Sequence, residues 1–192
     1  MLSHLRPALV MLALFTVLTG LLYPLAMTGV AQIVLPTAAN GSLVVRGGTV
    51  AGSELLGQSF TSDRYFWPRP SAAGEKGYDA ANSSGSNLGP LSKKLLERVD
   101  AGVTDLRAAG ATTVPADAVT ASASGLDPHI SPAFARAQIA RVAAARKVPE
   151  AQVQTLVESL IAHLFLGLIG EYRINVLKLN LALDVRLPGG AG

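Results

Sequence analysis

Cysteine is missing from all 192 residues. That absence removes disulfides, thiolate metal sites and a thiol nucleophile, and it suits an oxidising or a reducing compartment equally. Charge is scarce too. Lys and Arg number 16 and Asp and Glu 13, for a net charge of +3, and charged residues are only 15% of the chain. No cluster gathers four or more Lys or Arg, so nucleic acid is not an expected partner. Three histidines, His4, His129 and His163, are too few and too scattered for a His-rich metal site, and no metal is expected. No G-x-x-x-x-G-K-[ST] run is available to cradle phosphates, and no G-x-S-x-G elbow presents a serine. Ser124, Asp127 and His129 lie too close in sequence to align as a catalytic relay. No catalytic residue is expected.

What is abundant is apolar: hydrophobic residues make up 49%. The excess is concentrated at the N-terminus. From Pro7 to Leu35 there is no charged side chain. As a helix, Ala8 to Val30 would measure about 34 Å against a hydrocarbon core of roughly 30 Å. Its Leu, Val and Phe residues favour insertion by about 5 kcal/mol at 0.3–0.6 each. Pro7 suits a first helical turn, whereas Pro24 predicts a kink in the outer half. Thr16, Thr19, Gly20 and Pro24 are candidates for packing against other membrane helices. A cleaved leader is the competing reading, with the chain then an exported enzyme or a tethered solute-binding domain, because Gly29-Val30-Ala31 before Gln32 resembles a small-residue cleavage site. Its apolar run exceeds the usual h-region, and its basic n-region is thin. Arg6 and the terminal amine put the N-terminus in the cytoplasm. The expected organisation is therefore a cytoplasmic stretch over 1–6, a transmembrane helix over 7–30, and an extracytoplasmic domain over 31–192.

That domain reads as mixed α+β, so the fold class is one N-terminal transmembrane helix plus an α+β soluble domain. Leu43 to Arg46 and Thr49-Val50 flank Gly47-Gly48 as a β-hairpin. A loop-rich region follows to Pro90. One helix is predicted with Leu91, Leu95, Leu96, Val99, Val103 and Leu106 on one side. A second runs from the cap Ser131-Pro132 to about Lys147. A third starts at Pro149-Glu150 and buries Val153, Leu156, Val157, Leu160, Ile161 and Leu164. Arg173 to Val185 alternates in polarity and predicts a half-buried strand. The apolar patch Leu164 to Ile169 is too short for a second span.

Several stretches are more specific than a generic domain needs. They are Arg6-Pro7-Ala8 and Thr19-Gly20-Leu21-Leu22-Tyr23-Pro24 in the leader, then Gly57-Gln58-Ser59-Phe60 and the run from Tyr65-Phe66-Trp67-Pro68-Arg69-Pro70 to Ala72. Tyr78-Asp79 and the run Ser84 to Pro90 come next, then Val119 to Pro132, including Gly125-Leu126-Asp127-Pro128-His129. Gln138, Arg141, Val142, Ala145 and Arg146 follow, and Arg173 to Leu183 closes the series. In this order, over nearly the whole chain, they resemble the KdpC subunit of the bacterial Kdp potassium-transporting ATPase. Gly170 to Ile174 departs from the family, which more often has Pro-Arg-Val there.

The resemblance implies a non-catalytic subunit of an ATP-driven potassium import complex in the bacterial inner membrane. In that family a P-type ATPase subunit hydrolyses ATP and a separate channel-like subunit binds potassium. Both are the implied protein partners, alongside membrane lipid. ATP and potassium would be handled by those partners, with no cofactor bound directly here. The family is described as a catalytic chaperone that raises ATP affinity, and its domain as lying on the outer face against the channel-like subunit.

Candidate interface residues are Tyr65, Trp67, Arg69, Tyr78, Asp79, Asn87, Asp127 and His129. Trp, Tyr and Arg dominate interface hot spots, but Tyr65 and Trp67 also suit a core. Tyr78, Asp79 and Asn87 also suit turns and caps, and Asp127 and His129 a structural turn around Pro128. Arg136, Arg141 and Arg146 read as a solvated helix face.

Overall fold

The structure, a computed structural model, describes residues 4–164 and 167–188. Residues 1–3 of the expected cytoplasmic stretch, Phe165 and Leu166 of the apolar patch, and residues 189–192 lie outside the described residues. The chain divides into two compact units, Met1–Ala51 and Gly52–Gly192.

The first unit is built on one apolar helix, α1 (Leu5–Val34), 30 residues with mean hydropathy 2.1 and no residue buried within the chain. Thirty residues make about 45 Å of helix, more than a hydrocarbon core requires. Proline at position 24 offers no N–H to its preceding turn. The helix accommodates it with a wide π-helical turn over Leu18–Leu22. Thr19 Oγ1 donates to the Phe15 carbonyl at 2.6 Å within that region. After a helical turn at Pro36–Ala39, the unit ends in a two-stranded hairpin of β1 (Leu43–Arg46) and β2 (Thr49–Ser53). Gly47 and Gly48, with φ of 58° and 82°, form its turn. The last two residues of β2 belong to the second unit.

The second unit opens with irregular chain, then α2 (Lys93–Ala108). The predicted apolar face of α2 is not a core face. Leu95, Val99, Val103 and Leu106 are half-buried, and Leu91 and Leu96 are 94% and 55% exposed. Leu106 alone among them packs on the core. The core lies further on, where β3 (His129–Ile130), α3 (Pro132–Ala137), α4 (Ile139–Arg146), α5 (Glu150–Ser159), β4 (Ile174–Asn175) and α6 (Val176–Arg186) converge. Ile130, Phe134, Val142, Val153, Val157, Ile174, Leu179 and Leu183 are each at most 2% exposed. At about 1.5–3 kcal/mol per buried aliphatic or aromatic side chain, this cluster is the main source of stability.

Two predicted helices are modified. The helix expected from Ser131 to Lys147 is two, α3 and α4, separated at Gln138 (φ −97°, ψ −7°). Ser131 caps the first, its Oγ accepting from Phe134 N at 3.0 Å, and Lys147 ends the second with φ 57°. The third helix stops at Ser159 rather than reaching Leu164. The predicted terminal strand is wrong beyond Asn175. Arg173 forms a single antiparallel bridge to Ala162, Ile174 and Asn175 pair antiparallel to Ile130 and His129, and Val176 to Arg186 is helical. Alternating leucines suggested a strand, but Val176, Leu179, Asn180 and Leu183 have helical spacing and are buried. Asn175 settles the competition. Its Oδ1 accepts from Lys178 N at 3.1 Å as an N-cap.

Candidate functional site

Pro68 and Pro70 keep the aromatic segment extended and unable to pair as a strand, so its peptide groups need partners from side chains. The helices supply them. Asn180 on α6 brackets Phe66, accepting from its N–H at 2.8 Å and donating to its carbonyl at 3.0 Å. Gln138, between α3 and α4, treats Trp67 the same way, at 2.7 and 3.1 Å. Each carboxamide stands in for a peptide of a missing neighbouring strand. Both are buried, which strengthens the bonds and makes them costly to lose.

Two arginines complete the clamp, and neither is solvated as the sequence suggested. Arg141, its side chain 9% exposed, donates to the Asp63 and Tyr65 carbonyls and lies 3.6 Å from the Trp67 ring centroid. Burial pulls its guanidinium down to about 10, opposed by the nearby Asp63 carboxylate. Arg146, 1% exposed, donates to the Arg64 and Leu187 carbonyls and to Asp184 Oδ1 at 2.7, 2.9 and 2.9 Å. Tyr65 joins it, donating to Asp184 Oδ2 at 3.2 Å. Arg136 does face solvent, bidentate to Glu158. Gln138 and Asn180 escaped notice as buried braces. Their signal is a carboxamide at a core-facing helical position, where only a hidden partner makes it affordable.

Downstream of Pro68 the same segment meets the Ser122–Pro132 stretch. Arg69 Nη1 donates to Asp127 Oδ2 at 2.9 Å, while Asp127 Oδ1 accepts from His129 N at 3.0 Å and lies 3.4 Å from His129 Nδ1. Burial alone would raise the Asp127 carboxyl, but its bonds to His129 and the Arg69 charge outweigh that and hold it below its ordinary value. Tyr78, at φ 57°, donates its hydroxyl to the Arg69 carbonyl at 2.6 Å. Burial, then the Asp127 charge, raises its phenol well above the usual range. Ser71 Oγ donates to the Gly125 carbonyl at 2.6 Å and accepts from Tyr78 N. At Gly57 an added Cβ would meet the Asp127 carbonyl at 2.6 Å, and at Gly125 (φ 67°) the Ala73 nitrogen at 2.7 Å. These two layers therefore touch backbone to backbone.

The structure thus brings Arg69, Tyr78, Asp127 and His129 together, and places Tyr65 and Trp67 on the adjoining clamp. Asp79 stands apart at the surface. It caps a short 3₁₀ turn by accepting from Ala81 N and Asn82 Nδ2, and these bonds hold its carboxyl below the ordinary value. Asn87 is exposed at φ 50°. In α1, Thr19 spends its hydroxyl on its own helix, and Gly20 leaves open space where a Cβ would stand. A cleft of about 460 Å³ opens beside the cluster, with Arg69, Asp117, Asp127, His129, Ser131 and Arg173 on its walls. Asp117 accepts from Ser131 N at 2.8 Å and from its Oγ at 2.9 Å, one bond on each oxygen, and Asp127 is held as above. What this arrangement supplies is a stiff surface of arginine, aromatic and carboxylate groups. Among the described residues, no group of three or more His, Asp or Glu is placed to hold a metal ion.

Comparison with known proteins gives this surface a setting. The family model described as "KdpC: K+-transporting ATPase, c chain" matches residues 5–185. A protein of Allorhizobium ampelinum named "Potassium-transporting ATPase KdpC subunit" is 58% identical over 185 residues, covering 96% of this chain and 97% of that one. Proteins of the same name from Caulobacter vibrioides and Rhodospirillum rubrum are 57% and 54% identical. They cover 98% of this chain and 96% and 98% of their own. With the match running from the apolar helix through the last helix, the chain belongs to the KdpC family, the c chain of potassium-transporting ATPases.

Proposed function

We propose that this chain is a non-catalytic, membrane-anchored subunit of an ATP-driven potassium import complex in a bacterial inner membrane. Its partners are a P-type ATPase subunit and a channel-like potassium-binding subunit. Residues 1–6 lie in the cytoplasm, 7–30 cross the bilayer, and 31–192 form a domain outside. The observation that carries this reading is the family match over residues 5–185, joined to an apolar helix of 30 residues, none buried by its own chain. Such a helix needs lipid or other membrane helices around it.

The domain holds partners in register. Tyr65, Trp67, Arg69, Tyr78, Asp127 and His129 form the principal docking surface, with Asp79 and Asn87 at its margin, and Thr16, Thr19, Gly20 and Pro24 mark the helix face that packs within the membrane. ATP is handled on the opposite side of the bilayer. An effect on ATP affinity therefore acts by conformational coupling between subunits and not by contact with nucleotide.

Two measurements test this. ATP titration of the pump's hydrolysis, with and without this chain, is expected to show a several-fold higher KM in its absence. An unchanged KM refutes the affinity role. A Lys94→Cys variant of this cysteine-free chain is expected to react with an impermeant maleimide in intact spheroplasts. Labelling only after lysis would reverse the orientation.

A further inference from the structure

The β1–β2 hairpin carries bulky apolar side chains in the open. Leu43, Val45 and Val50 are 51%, 61% and 59% exposed. Strand alternation puts Leu43 and Val45 on one face. A solitary two-stranded hairpin is marginally stable in water, so this one needs a cover.

The first unit itself indicates which. From Arg6 to Gln32 the helix rises about 39 Å at ~1.5 Å per residue, close to the roughly 40–45 Å of a bilayer with both headgroup layers. With Arg6 in the inner headgroup layer, Gln32 sits in the outer one. The chain is then turned back and braced at that level. Gln32 and Asn40 exchange two side-chain hydrogen bonds at 3.3 and 3.1 Å, and Asn40 Nδ2 donates to the Pro36 carbonyl at 2.7 Å. Ser42 N donates to the Thr37 carbonyl at 2.9 Å. Leu43 is three residues beyond Asn40, so β1 begins within about 11 Å of that braced asparagine at ~3.6 Å per residue. Between them Ile33, Val34 and Leu35 continue the exposed apolar surface of the helix without a break. Charge agrees. Arg46 at the hairpin tip is the one charged residue between Arg6 and Glu54, and a cation suits lipid phosphates.

We propose that the hairpin is a second, interfacial contact with the membrane. It lies on the outer headgroup layer, with Leu43, Val45 and Val50 toward the acyl boundary and Arg46 among phosphates. This rests on α1 being a membrane span. A span alone is free to rotate about its axis; a hairpin braced to its end and resting on the surface fixes that rotation.

Single-cysteine variants Val45→Cys and Val50→Cys, each carrying a fluorophore, test it in the assembled complex. Liposomes of phosphatidylethanolamine and phosphatidylglycerol, doped with a nitroxide-headgroup lipid, provide the membrane. Leu25→Cys reports the span and Lys94→Cys the aqueous domain. At both hairpin positions the expected result is strong quenching by the lipid nitroxide, and iodide quenching several-fold weaker than at Lys94. Free access of iodide overturns the proposal. So does shielding from iodide without lipid quenching, which would mean that a protein covers the hairpin. If the Leu25 label is itself accessible to iodide, the span reading fails, and the proposal with it. Quenching of Leu25 from lipid while the hairpin labels stay in water refutes the hairpin contact alone.

Discussion

Asn180 has both polar atoms of its side chain committed to the Phe66 peptide groups, in a place where water does not reach. Replacing it with leucine keeps the volume roughly but strands a buried N–H and a buried C=O. At about 1–3 kcal/mol for each abandoned group, Asn180→Leu is expected to lower the Tm of the full-length chain substantially. An unchanged thermal unfolding curve would show that the amide is not a brace. Asp127 gives a prediction in pH. Its carboxyl is held below the ordinary 3.8 in the folded chain, so the unfolded state binds its proton first as pH falls. The stabilisation is fully present above that ordinary value and is lost as pH drops through the lower, folded one. Asp127→Asn is expected to flatten this acid limb when unfolding midpoints are compared between neutral pH and the acid range. An unaltered limb would contradict the assignment. The residue scale is also where the sequence was least legible. Arg69, Tyr78, Asp127 and His129 stand out as candidate interface side chains, whereas nothing local marks Gln138, Asn180 and Arg146 as buried braces. Their importance is that they face peptide groups more than 70, 110 and 80 residues away, a pairing that no local pattern records.

At the scale of elements, local signals worked where one force dominated. The apolar helix, the Gly-Gly hairpin and the Ser131-Pro132 cap follow from hydropathy, turn chemistry and capping. The terminal segment misled because two periodicities coexist in Val176 to Arg186, and a cap at Asn175, not the alternation, decided between them. Asn175→Ala removes that cap and also its bond to the Glu54 carbonyl at 2.9 Å. A loss of about 1 kcal/mol is expected. It should appear in hydrogen exchange as faster exchange at the first turn of α6, and unaltered protection there would count against the helical assignment. α2 misled differently. Its apolar stripe is regular, yet it stays half-exposed because the core is already filled by α3 to α6. For α1 the expectation is direct. Leu18→Arg, near the helix centre, costs about 2.5–3.5 kcal/mol of insertion and should shift the chain from the membrane fraction toward degradation or the soluble fraction. Retention at the wild-type level would argue that lipid is not what surrounds the helix.

For the whole molecule, the proposed function gives the braced aromatic segment and the apolar helix one role: to keep a rigid domain beside a pump. A coupling of about 1–3 kcal/mol between subunits would correspond to a 5- to 150-fold effect on affinity. The most direct measurement is to extract the full-length chain from native membranes in mild detergent and identify what accompanies it, together with its own intact mass. The account predicts the uncleaved chain in a stable complex with a P-type ATPase subunit and a channel-like potassium-binding subunit. A free monomer, or a mature chain beginning at Gln32, would contradict it.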